Sequence, residues 1–113
     1  MMIHSLKGNV KKVTAYVGLD ERYDDRPLYQ ALVDQARTQG CAGATVFEGI
    51  LGFGPSSRDI DKHALRMSTD KPLVVTVIDE TQRVVALSEV WSRMVKSGLI
   101  IIEDCAVVHY TTP

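Results

Sequence analysis

The sequence predicts an α+β domain of the ferredoxin-like type, βαββαβ, with a four-stranded antiparallel sheet and two helices on one face. Three observations carry that expectation. Two apolar stripes recur at helical spacing, and four β-rich segments surround them in the order β-α-β-β-α-β. The chain has 113 residues, enough for one hydrophobic core and short of two. Two right-handed β-α-β crossovers sharing one sheet produce this arrangement.

The first strand is expected at Lys11 to Leu19, where Val13, Ala15, Val17 and Leu19 alternate with Lys12, Thr14, Tyr16 and Gly18. A charged connection, Asp20 to Arg26, follows, with Asp24 or Asp25 as helix cap and Pro27 in the first turn. Leu28, Ala31, Leu32 and Ala36 form the first helical stripe, and Gly40 ends that helix. Ala44 to Leu51 reads as the second strand. Residues 52–71 read as one long loop, a length that in a small domain is functional or mobile. Pro72 opens a third strand, Leu73 to Ile78. Asp79 and Gln82 have the spacing of a capping box ahead of the stripe Val84, Leu87, Trp91 and Met94. Gly98 closes that helix, and Leu99 to Tyr110 is the last strand. No repeat or linker divides residues 1–113, read as one domain with residues 1–9 flexible.

This topology roofs one sheet face only, yet the strands are apolar on both. Phe47 and Leu51 alternate with Val46 and Ile50; Val74 and Ile78 alternate with Leu73, Val75 and Val77. A bare apolar face is an association site, and closed cyclic symmetry is the usual way to bury it. A homo-oligomer is expected.

Hydrophobic residues are 45%, charged residues 24%, and the formal net charge is −1. That balance gives no field for nucleic acid or an anionic membrane. No apolar run exceeds Leu99–Ile102, far from the roughly 20 residues of a membrane span. Met1 to Val10 carries no apolar signal region, so no membrane insertion and a cytoplasmic location are expected. Cys41 and Cys105 form no C-x-x-C pair and read as reduced apolar fillers.

Catalytic motifs are absent. There is no phosphate-binding P-loop, and Gly52-Phe53-Gly54 runs into Pro55-Ser56-Ser57, so the dinucleotide pattern fails. His4, His63 and His109 lack metal-ligand spacing, and the Asp20, Glu21, Asp24, Asp25 cluster reads as a solvated loop. The region from Gly49 to Arg66 holds the interest. Its glycines allow backbone N–H groups to approach an anion, Phe53 can stack on a flat ring, and Arg58 and Arg66 can hold phosphate. A nucleotide clamp and a plain mobile loop both fit these residues.

Pro27-Leu28-Tyr29-Gln30-Ala31-Leu32, then Gly40 to Phe47, then Gly49-Ile50-Leu51-Gly52-Phe53-Gly54, resemble a family of bacterial and archaeal proteins, the domain-of-unknown-function 190 family. That family is grouped with the PII-like signalling proteins, relatives of the nitrogen regulatory protein PII. Lys71 to Val75, Gly98-Leu99, Glu103 and Tyr110 fit the same pattern, which covers the chain from Val10 onward. The resemblance implies a homotrimer with sheets facing inward and a long loop after the second strand. It implies an adenine nucleotide in clefts between subunits, near the loop base and the connection after the third strand. Carried over, the nucleotide-binding residues are Gly52, Phe53, Gly54, Arg58, Arg66 and Arg83, with no cofactor required. The connection Asp79-Glu80-Thr81-Gln82-Arg83 has no glycine and starts acidic, which disfavours a triphosphate; AMP or ADP is therefore expected before ATP. The expected function is regulatory: a non-enzymatic module that relays the nucleotide to a partner protein such as a membrane transporter or channel. The alternative is an oligomeric protein-interaction module with no small-molecule ligand. A ferredoxin-like enzyme ranks last, for want of a convincing pair of catalytic groups.

Overall fold

In the computed structural model of the protein, the described residues are 9–52 and 71–113. Strand β1 (Val10–Gly18) leads into a short hairpin of β2 (Arg22–Tyr23) and β3 (Arg26–Pro27). Helix α1 (Leu28–Thr38), strand β4 (Thr45–Glu48) and strand β5 (Pro72–Glu80) follow. Helix α2 (Thr81–Met94) and strand β6 (Leu99–Cys105) complete the order. The main sheet runs β4-β5-β1-β6, with every neighbouring pair antiparallel. This is the ferredoxin-like arrangement expected from the sequence.

Both helical stripes are buried as read, Leu28, Ala31, Leu32 and Ala36 on α1 and Val84, Leu87, Trp91 and Met94 on α2. They pack on Val13, Ala15 and Val17 of β1 and Leu73, Val75 and Val77 of β5. Trp91 is fully buried and its indole N–H donates to the Leu32 carbonyl at 3.1 Å, which stitches α2 to α1.

The expected caps are not made. Asp24 and Asp25 are the two central residues of the β2–β3 turn, with φ of 49° and 64°. Those are the positive angles of a type I′ hairpin, which Asp tolerates better than most residues. Pro27 precedes α1 without a side-chain cap. Asp79 does not cap α2: β5 continues through Glu80, which pairs with Val10, and the helix starts at Thr81 with no side-chain cap bond. The second and last strands are shorter than read. Gly49 ends the β4 ladder: its N–H donates to the Pro72 carbonyl at 2.7 Å, and a Cβ there would lie 2.7 Å from Pro72 Cγ. β6 stops at Cys105, and residues 106–113 leave the sheet. Of the N-terminal stretch read as flexible, Asn9 is described and held, its carbonyl accepting from the Thr81 N–H and hydroxyl at 3.0 Å each.

Gly98 also has no room for a side chain. Its φ is 156°, and a Cβ would sit 2.6 Å from the Tyr16 carbonyl oxygen. We expect Gly98→Ala to lower stability by about 2 kcal/mol, read as a fall in urea midpoint at unchanged slope. An unchanged midpoint would contradict that packing.

Candidate functional site

The register places three rows of residues on the sheet face away from the helices. Phe47, Val74, Tyr16 and Leu99 form one row across all four strands. Phe47 is 58%, Leu99 55% and Tyr16 43% exposed, so this row is open and apolar. The next row holds Thr45, Thr76, Thr14 and Ile101, with the Thr14 and Thr76 hydroxyls 3.5 Å apart. Beyond it Ile78 stands beside Lys12, whose ammonium pairs with Glu103 at 3.8 Å.

The segment after β6 starts at one sheet edge and returns to the other. Val107, His109 and Tyr110 line a cleft of about 350 Å³ together with Ala42, Gly43, Ala44, Thr45, Thr76 and Ile78. Since β4 and β6 are opposite edges, this segment crosses the open face near its Val10/Glu80 end. The lining combines small residues, threonine hydroxyls, an imidazole and a phenol with aliphatic carbon, and among the described residues it includes no Lys or Arg. Such a surface suits a flat, uncharged heterocycle with hydrogen-bonding edges.

One wall of the cleft is pinned from behind. The Asp79 carboxylate, wholly buried, accepts from the Ala42 N–H at 2.8 Å and the Glu80 N–H at 2.7 Å. Arg83 Nη1 lies 3.4 Å from it, one helical turn on. Asp79 is thus turned inward and compensated; it is not the exposed charge that the sequence reading set against a triphosphate. Behind the same wall a second cleft, about 320 Å³, is lined by Val33, Ala36, Arg37, Cys41 and Ala42 to Ala44. Burial, and then the nearby Asp79 charge, push the Cys41 thiol up to about 11, so it stays protonated.

The loop base occupies the other end of the sheet. Gly49 and Gly52 back onto Pro72, Lys71 pairs with Glu48 at 3.2 Å, and Ile50 and Leu51 project almost fully into solvent. Of the residues expected to bind nucleotide, Gly52 lies here, exposed. Arg83 lies with Asp79 at the far end of β5. From Pro72 to Asp79 a strand rises about 3.3 Å per residue, roughly 23 Å in all, so one protomer does not bring Gly52 and Arg83 to the same ligand. Phe53, Gly54, Arg58 and Arg66 lie outside the described residues, as does His63. Gly43, Thr45, Thr76 and the C-terminal segment, which line the described cleft, are not among the binding residues expected from the sequence. Their signal was present in the small-residue run Gly40 to Ala44 and in the threonines that interrupt two apolar strands. Among the described residues, no three His, Cys, Asp or Glu come together as metal ligands, and no helix is long and apolar enough to cross a membrane.

Residues 10–107 match the family DUF190, "Uncharacterized ACR". The chain belongs to the DUF190 family. Within DUF190, it is 34% identical over 101 residues to a UPF0166 protein of Aquifex aeolicus, covering 88% of this chain and 93% of the relative. It is 26% identical over 104 residues to a UPF0166 protein of Methanocaldococcus jannaschii, covering 90% and 93%. The match spans β1 through β6 and includes the Ala42–Thr45 wall of the cleft with Thr76 and Ile78, and it ends at Val107, before His109 and Tyr110. DUF190 is a PII-like family, as the resemblance implied.

Proposed function

We propose that this DUF190 chain is a PII-like regulatory protein that assembles through its open sheet face and binds an adenine nucleotide at the seams. The observation that carries the reading is the apolar row Phe47–Val74–Tyr16–Leu99, continuous with the cleft beneath the C-terminal segment. A row this apolar is buried by copies of the chain, and a closed ring of three satisfies every copy equally. The adenine base enters the cleft beside Thr45 and Thr76. Its phosphates follow the free edge of β4, where Thr45 to Glu48 spans roughly 10 Å, toward the Gly49–Gly52 loop base. With no Lys or Arg among the described residues of the cleft and two glycines at the loop base, AMP or ADP is favoured over ATP. The occupied seam is then read by a partner protein, a transporter or channel being the expected kind. Catalysis has no role in this reading.

Titration with AMP, ADP, ATP and cyclic AMP tests it. ADP or AMP at 100 times its Kd should raise stability by about 2.7 kcal/mol, seen as a thermal shift with matching heat of binding. Silence with all four ligands would sink the reading. That silence, with assembly retained, is what the second reading expects: an interaction module docking partners through Ile50 and Leu51, which are 99% and 93% exposed.

A further inference from the structure

The segment Ala42–Gly43–Ala44 is a thin partition. It lines the open-face cleft on one side and the helix-side cleft on the other. It belongs to no helix or strand, so its place is set by the few bonds that reach it. Gly43 carries no side chain, and a Cβ there would point into open space with nothing within 4 Å. On the α1 side the Cys41 N–H donates to the Ala36 carbonyl at 3.0 Å. On the other side the anchor is the Asp79 carboxylate on the Ala42 N–H.

We propose that Asp79 is a positioning residue for the cleft: its carboxylate fixes the Ala42–Ala44 wall and joins that wall to the first turn of α2. The proposal rests on the nucleotide reading for its ligand and on the hydrogen-bond geometry for its mechanism. A buried carboxylate is costly unless its oxygens are satisfied. Here one oxygen takes the Ala42 N–H, and the other takes the Glu80 N–H and faces Arg83. Among the described residues the charge therefore grips the wall, the end of β5 and the first turn of α2. An amide at this position cannot do the same, because it has one acceptor oxygen and presents an NH₂ group to a backbone N–H. Ligand binding to a wall left loose must first order that wall, and the ordering cost appears as lost affinity.

Asp79→Asn is the test, with ADP as the probe and backbone amide hydrogen exchange as the second readout. The variant should bind ADP about tenfold more weakly, the equivalent of about 1.4 kcal/mol. The Ala42 to Thr45 amides should exchange faster while the Val13 to Val17 amides of β1 keep their protection. Unchanged affinity together with unchanged exchange at Ala42 overturns the proposal. If wild-type protein takes up no ADP, the nucleotide reading falls, and exchange at Ala42 to Thr45 alone decides the positioning role. If Asp79→Asn does not fold, wild-type exchange decides it. The Ala42 amide, although outside regular structure, should exchange as slowly as the amides of β5; rapid exchange there would rule the anchor out.

Discussion

Replacing Trp91 with Ala should remove about 4 kcal/mol of stability, the largest loss expected from any single substitution discussed. The side chain is fully buried among residues of α1, β1 and β5. Its removal costs the transfer free energy of an indole, opens a cavity beneath both helices and deletes the N–H bond to Leu32. Domains of this size hold only about 5–15 kcal/mol in reserve, so the variant should be near its unfolding transition at physiological temperature. Urea unfolding at fixed protomer concentration measures it, because any assembly adds concentration dependence to the midpoint. A loss under about 1 kcal/mol would mean that the two helices do not share this core.

Phe47→Lys should leave the protomer folded and break the assembly. Phe47 is 58% exposed in the protomer, so the protomer itself loses little. In an assembly that buries the open face, the same position lies beside Val74 and near Tyr16, and an unpaired ammonium there is strongly unfavourable. Association should weaken by more than about a hundredfold, which corresponds to about 2.7 kcal/mol. Circular dichroism should match the wild type while sedimentation gives a lighter particle. Wild-type mass and affinity in the variant would place the interface elsewhere.

The fold was legible in the sequence because its signals are periodic. Val13, Ala15 and Val17 alternate, and Trp91 stands with Leu87 and Met94 on one helical stripe, patterns that survive without knowing what they pack against. The element ends were less legible. Asp24, Asp25 and Asp79 have good capping chemistry, but capping competes with other uses of a short carboxylate. A type I′ turn claimed Asp24 and Asp25, and the Ala42 and Glu80 amides claimed Asp79.

The candidate site was the least legible part, and for a related reason. In the sequence, charge, glycine and an aromatic concentrate on one loop, with Arg83 apart from it. The described cleft is built from Gly43, Thr45, Thr76 and a C-terminal segment that crosses the sheet, residues far apart in the chain and individually plain. Nothing in local spacing marks Thr76 as a neighbour of Thr45; only the β4–β5 register does. Arg83 showed the reverse problem, since its charge is real but faces Asp79 rather than the loop base. Phe47 and Val74 of the open row were visible from alternation, whereas Tyr16 and Leu99 join it only through the β1 register; burial of this row by copies of the chain is what the proposed function depends on.

Light scattering of the purified protein across a concentration series tests that connection most directly. Burial of the open face by copies of the chain predicts a particle of three times the 12.5 kDa chain mass. A stable species at the chain mass itself, persisting at high concentration, would leave Phe47, Tyr16 and Leu99 in water and contradict the account.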